Sequence, residues 1–477
     1  MGNDFGCCLT RRQLLQAAGG TALCWALLPL TESAAGAQPL SRTPIYPKGK
    51  ARVTLVFTHV PSGNPTWPMK DYDYEGRARE LTDKLRAGCP GTTFTVKTAH
   101  DGGEAEAVVK ESADADGYLV YVLGIWTGAP DVILHSGKPV VLVDDLYAGS
   151  GETLAERPAI RTDKLPVVTV SSSNMGDVIA AARLFEVIRS MKESTILDIV
   201  DYDIAGAAET IEKLYGTSVV RIGSPELASY YTKADETEAA EWADFWAKKA
   251  KKIVEPTRDE LVKSGKMYLA LSRAAAERKA DAVTMDCLGM FYSGRVTAYP
   301  CFSHFQMNND GGTGVCEGDL NSTCTQLAMR YMTGRPGYVS DPVIDTSKQE
   351  IIYAHCVSTN RVFGPRGKSN PYIIRSHAED GKGASVQSLM PAGEPVTTLE
   401  VDVWGKRMVI HTGKTVRNVD EPKACRTKLA AKANAERILE NWDMGWHRVT
   451  VYGDWRKQAM NFARLLGIEV FEEDRPA

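Results

Sequence analysis

From residue 51 onward, apolar runs of strand length alternate with amphipathic runs of helix length, and that alternation confines the chain to parallel-sheet architectures. ARVTLVFT (51–58) reads as a buried strand, Tyr74–Ala87 as a helix and Thr93–Lys97 as a strand. Helix Glu104–Ser112 and strands Gly117–Leu123 and Lys138–Asp144 continue the series. Parallel neighbours need a crossover, so this order predicts a sheet with helices on its faces. The series restarts at Leu165–Ser171, then helix Gly176–Glu193, strand Thr195–Val200, helix Ala207–Tyr215 and strand Ser218–Ile222. Helices Glu236–Ile253 and Arg258–Lys279 lead into strand Ala282–Asp286. Two Rossmann-like α/β layers are expected, at 45–160 and 161–290. No GxGxxG follows the first strand, so no dinucleotide site is indicated.

The pattern changes after about residue 350. Ile351–Cys356, Tyr372–His377, Thr397–Trp404, Lys406–His411 and Thr427–Lys432 read as short strands separated by turn signals. They predict a β-rich, barrel-like region. Helix Asn434–Trp442, strand Arg448–Tyr452, helix Asp454–Leu466 and strand Ile468–Phe471 end the chain. The expected fold is α/β, two Rossmann-like layers followed by a β-rich α+β catalytic domain at 291–477.

At the other end, Thr10-Arg11-Arg12-Gln13-Leu14-Leu15 opens an apolar run, Ala17 to Leu30, that closes near Ala35-Gly36-Ala37. Twin arginines, a moderate apolar stretch and an A-x-A site predict a twin-arginine signal peptide over 1–37, with a periplasmic or secreted mature protein. The run falls short of the ~20 residues that span a bilayer. No later segment is apolar enough, so no membrane association is expected once the signal is removed. A net charge of −4 without a basic stripe argues against nucleic acid. Of ten cysteines, Cys7, Cys8 and Cys24 lie in the signal. Cys89, Cys287, Cys301, Cys316, Cys324, Cys356 and Cys425 form an odd, scattered set with no CxxC or finger spacing. That argues against a disulfide framework and a structural zinc site. One or two bridges within Cys287–Cys356 fit the spacing, with no pairing specified.

Chemistry concentrates between Tyr299 and Cys356. Glu317 and Asp341 each sit where a loop meets a regular element, and His355 closes an apolar strand. Carboxylates with an imidazole suit Mn²⁺ or Mg²⁺. Such a site can polarise a carbonyl and manage proton transfer beside it. Each residue also has a structural reading: Asp319 as the cap of helix Leu320–Met332, Asp341 as a turn before Pro342. The density of Cys301, His304, Cys316, Glu317, Asp319, Asp341, Asp345, His355 and Cys356 in one Gly/Asn-rich stretch favours a site. The aromatics Tyr299, Phe302, Phe305 and Trp446 are sugar-stacking or core residues. His304 is a donor to substrate hydroxyls or a turn cap.

Cys316-Glu317-Gly318-Asp319, the acidic loop at Asp341, the His355-Cys356 strand end and the segment His447–Asp454 resemble the L-fucose/L-arabinose isomerase superfamily. The likeness covers about 280–477 and is architectural over the N-terminal layers. It implies a divalent-metal-dependent sugar isomerase-like enzyme acting on an aldose or ketose through an enediol. It implies Mn²⁺ held by Glu317, Asp341 and His447, with Glu317 and Asp341 as the catalytic acid pair. His355 matches an additional histidine of the arabinose branch, and Asp345 rivals Asp341. His304, His355, Asp319, Asp345 and Trp446 are the expected substrate contacts. A homo-oligomer, trimer or hexamer, is implied as well. Two other readings use the same residues. One is a glycosidase or lyase with Glu317 and Asp341 or Asp319 as acid and base. The other is a sugar-binding protein without turnover.

Overall fold

The structure is a computed structural model that describes residues 40–476. The twin-arginine segment at 1–37 lies outside the described residues. Among them, no helix is long and apolar enough to cross a membrane.

Five parallel strands form the first sheet: β1 (Ala51–Thr58), β2 (Thr92–Ala99), β3 (Gly117–Val122), β4 (Val140–Asp144) and β5 (Val167–Ser171), in the order β2-β1-β3-β4-β5. β3 and β4 are buried along their whole length. Helices cover both faces, and successive residues feed two separate cores: Leu119, Tyr121, Val141 and Val143 enter one, Tyr118, Val120, Val140 and Leu142 the other. Burial on both faces is why these strands read as unbroken apolar runs. Leu165–Ser171, expected to open the second layer, instead forms the edge of this sheet as β5. The following helix is interrupted at Arg183, giving Met175–Ala182 and Leu184–Lys192.

The second parallel sheet uses β6 (Thr195–Ile199), β7 (Ser218–Ile222), β9 (Ala282–Met285) and β10 (Thr313–Cys316), in the order β10-β9-β6-β7. Its last strand therefore comes from beyond residue 290. The connection into β10 runs through helix Cys301–Asp310, in which nine of ten residues are buried. A helix buried all round has no polar stripe, so the sequence carried no helical period there.

The third sheet is a closed antiparallel barrel of six strands. These are β11 (Tyr338–Asp345), β12 (Glu350–His355), β15 (Pro395–Asp402), β16 (Arg407–Asn418), β17 (Thr427–Lys432) and β18 (Arg448–Tyr452). Pairing runs β15-β18-β11-β12-β17-β16, and a β15–β16 ladder closes the ring. β19 (Glu469–Glu472) adds in parallel to β16. A small sheet joins β8 (Lys252–Ile253), β13 (Tyr372–Arg375) and β14 (Ser385–Ser388). Tyr338, Ile351, Tyr353, Val396, Leu429 and Tyr452 pack together, while alternate residues such as Val339, Leu399, Val449 and Val451 join the core shared with the parallel sheets. β11 contains Pro342, which made it read as a turn. The strand tolerates it because pairing with β18 ends at Ser340, so one edge is open from Asp341 onward.

Candidate metal centre

Four chain segments meet at one end of the barrel: the turn after β10, the middle of β11, the end of β12 and the start of β18. Glu317 directly follows β10 with φ +68, and Gly318 follows with φ +64. Two successive left-handed residues turn the chain sharply and aim Glu317 away from the sheet. A Cβ on Gly318 would stand 2.9 Å from the Tyr202 hydroxyl and 3.0 Å from Val200 Cγ1, so this turn accepts only glycine. Asp319 then caps helix Leu320–Thr333. Its Oδ1 accepts from Ser322 N at 3.1 Å and its Oδ2 from Ser322 Oγ at 2.6 Å.

The capping carboxylate has a second partner. His447, one residue before β18, places Nδ1 2.7 Å from Asp319 Oδ2. That leaves Nε2 facing Asp341 Oδ1 at 3.1 Å and Glu317 Oε2 at 3.4 Å. His355 approaches from the other side, with Nε2 at 3.4 Å from Glu317 Oε1 and 3.8 Å from Asp341 Oδ2. Ligand atoms of Glu317, His355 and His447 all lie within 4.8 Å of one another. The two imidazoles differ in tautomer. Asp319 holds the proton of His447 on Nδ1, so Nε2 is the nitrogen that would bind a metal in exchange for its own proton, the arrangement of a metal-binding histidine backed by a carboxylate. The Nδ1 of His355 instead accepts from Val357 N at 3.2 Å. Its Nε2 therefore carries the proton as a buried donor with no hydrogen-bond partner.

The electrostatics follow this crowding. Burial raises the Glu317 carboxyl, but the His355 and His447 rings, each 3.4 Å from it, outweigh burial and hold it at about 2. Burial lowers His447, but Asp319, Asp341 and Glu317 outweigh it and raise the ring to about 12. Burial also lowers His355, and the Cys356 sulfur with Glu317 and Asp341 raises it to about 10. Glu317 and Asp319, both held below the usual carboxylate range, are ionised at neutral pH and gather positive charge. Glu317, His355 and His447 form a group that could hold a metal ion, with Asp341 Oδ1 3.1 Å from His447 Nε2.

A cleft of about 720 Å³ opens beside these donors. Trp446 stands at its rim, 67% exposed. Glu400, Asp402, Arg407 and Asn321 also line it, and none of them stood out in the sequence. Glu400 and Asp402 alternate with buried Val401 and Val403, a period-two pattern that places both on one face. Burial pushes the Glu400 carboxyl well up.

Of the expected site residues, Glu317, Asp319, Asp341, His355 and His447 come together, with Trp446 on the cleft. Two do not join them. His304 is fully buried in helix Cys301–Asp310 and does not line the cleft. Asp345 binds Lys348 at 2.7 Å and Ser347 at 2.6 Å. Four residues of strand separate it from Asp341, roughly 13 Å at 3.3 Å per residue, which removes it from the centre. All seven cysteines among the described residues are free and buried, so no bridge forms within Cys287–Cys356. No protein-family model matches the chain, and no curated protein matches it significantly.

Proposed function

We propose that the chain is a divalent-metal-dependent sugar isomerase-like enzyme that acts on an aldose or ketose through an enediol. The observation that carries this reading is the convergence of Glu317, Asp341 and the Nε2 of His447, with the histidine tautomer set by Asp319 at 2.7 Å. That donor set suits a hard or borderline ion, Mn²⁺ foremost. When bound, such an ion polarises the substrate carbonyl and stabilises charge on its oxygen.

The remaining work falls to the chain. Asp319 keeps the His447 Nε2 pointed at the centre. The free side-chain oxygens of Glu317 and Asp341 take and return the proton exchanged between C1 and C2. His355 Nε2–H, buried behind the cleft, faces Glu317 Oε1 at 3.4 Å and Asp341 Oδ2 at 3.8 Å and steadies the two carboxylates. Trp446 offers an aromatic face at the cleft rim for the sugar carbons. A trimer or hexamer and twin-arginine export belong to the same proposal.

A glycosidase on this scaffold needs one carboxyl kept protonated as the acid. Glu317, held at about 2, is the wrong group for that role, while Glu400, pushed well up by burial, lines the same cleft; what favours the metal reading is the meeting of Glu317, His355 and His447 within 4.8 Å. Metal analysis of protein purified without chelators tests it. Roughly one divalent ion per chain is expected, lost in Glu317→Gln and in His447→Ala together with aldose–ketose interconversion. Metal content unchanged in both variants, or glycoside hydrolysis that survives a chelator, would overturn it.

A further inference from the structure

Behind the carboxylate centre lies a second donor set of opposite chemical character. Cys316 directly precedes Glu317, and Cys356 directly follows His355. Cys316 ends its strand facing the interior, and the left-handed turn at Glu317 sends the next side chain the other way, to the cleft. The sulfurs of Cys316 and Cys356 and a ring nitrogen of His355 lie within 4.8 Å of one another, all three residues buried. His355 Nδ1 is 3.9 Å from Cys356 Sγ. Cys301 and Cys425 are further buried free thiols, and His304 and His377 further buried histidines. Both ring nitrogens of His304 and the Nδ1 of His377 lack hydrogen-bond partners. Buried polar atoms are rarely left so.

We propose that Cys316, Cys356 and the Nδ1 of His355 form a second metal site, for a thiophilic cation, with Cu(I) the best match. Thiolates select soft ions, whereas Mn²⁺ and Mg²⁺ favour oxygen. Structural Zn²⁺ takes four ligands, and the donors that lie within 4.8 Å of one another here are three, Cys316, His355 and Cys356. Cu(I) accepts three, and a dry, buried thiolate pocket protects it from oxidation. Binding exchanges the two thiol protons for one cation, the protons leaving to solvent. His355 would then link two centres: its Nδ1 would give up the Val357 N–H hydrogen bond for the soft ion, and its Nε2–H would stay toward Glu317 and Asp341. This inference does not rest on the isomerase reading.

The experiment is anaerobic titration of the full chain with Cu(I) against bicinchoninate as the competing chelator. The wild type should withhold one equivalent, Cys316→Ala and Cys356→Ala should surrender it, and Glu317→Gln should keep it. X-ray absorption on the wild-type Cu(I) form, which needs no variant to fold, should give a sulfur-dominated first shell. A wild type that yields all its Cu(I) to bicinchoninate, or a first shell without sulfur, overturns the site. Failure of the isomerase reading leaves both readouts unchanged.

Discussion

The Nδ1 of His447 lies 2.7 Å from the Oδ2 of Asp319, across 128 residues of sequence. One carboxylate therefore starts a helix and fixes the tautomer of an imidazole at the centre. The two jobs can be separated.

Asp319→Asn keeps a side chain that caps well, because asparagine and aspartate are near equals at that position. It removes the charge that backs His447. Divalent-metal affinity should fall about 10- to 100-fold while thermal stability changes little. Asp319→Ala should show the same affinity loss plus about 1 kcal/mol of stability. Calorimetric Mn²⁺ titration and thermal melts on both variants measure the two effects. Equal Mn²⁺ affinity in Asn and wild type would remove Asp319 from the centre.

Asp341 and Asp345 should part cleanly. Asp341→Ala should abolish Mn²⁺ binding, and Asp345→Ala should leave it within about twofold, since its ion pair with Lys348 is a surface contact. Metal content after dialysis reads the difference. A loss in Asp345→Ala equal to that in Asp341→Ala would contradict the geometry.

The pH response of the metal-free protein has a definite sign. Buried His447, raised by its carboxylates from 6.5 to about 12, binds a proton in the folded state that the unfolded chain gives up above its ordinary value. That contribution is fully present below pH 6.5 and is lost as pH rises toward 12, by up to about 1.4 kcal/mol per pH unit for one proton. Metal-free protein should melt lower at pH 9 than at pH 7. Mn²⁺ displaces that proton, so its stabilising effect should grow over the same range. Melting curves with and without Mn²⁺ from pH 6 to 9 make the comparison; parallel profiles would exclude His447 as a ligand.

Behind the centre, Arg448 and Glu473 form a fully buried pair, Nη2 to Oε1 2.6 Å, and Glu473 also meets His411 Nδ1 at 2.8 Å. Arg448 stacks on Trp442 at 3.8 Å. Glu473→Ala leaves a buried guanidinium without a counter-charge and should cost about 3–5 kcal/mol. Urea denaturation measures it, and a loss under about 1 kcal/mol would show that solvent reaches Arg448 in the variant.

Much of the architecture was legible in the chain. β1, β7, β17 and β18 lie where their apolar runs predicted, and the β-rich region closes into a barrel. The assignments that failed share a cause. Leu165–Ser171 is a good strand whose sheet could not be read, because partner choice is a long-range property. Helix Cys301–Asp310 and β11 were missed where burial on all sides or a proline erased the period. Glu400 and Asp402 went unnoticed because a charged residue on a strand looks alike facing solvent or a cleft.

The sequence by itself determined which residue types could do chemistry and where strands and helices recur, since hydrophobic period and donor identity are local properties. Tertiary structure decided which donors meet. Closure of the barrel, the left-handed turn at Glu317 and the partnering of β10 bring Glu317, Asp341, His355 and His447 within a few ångströms, and leave Asp345 and His304 outside. Convergence depends on register and sheet order, which short-range patterns do not encode.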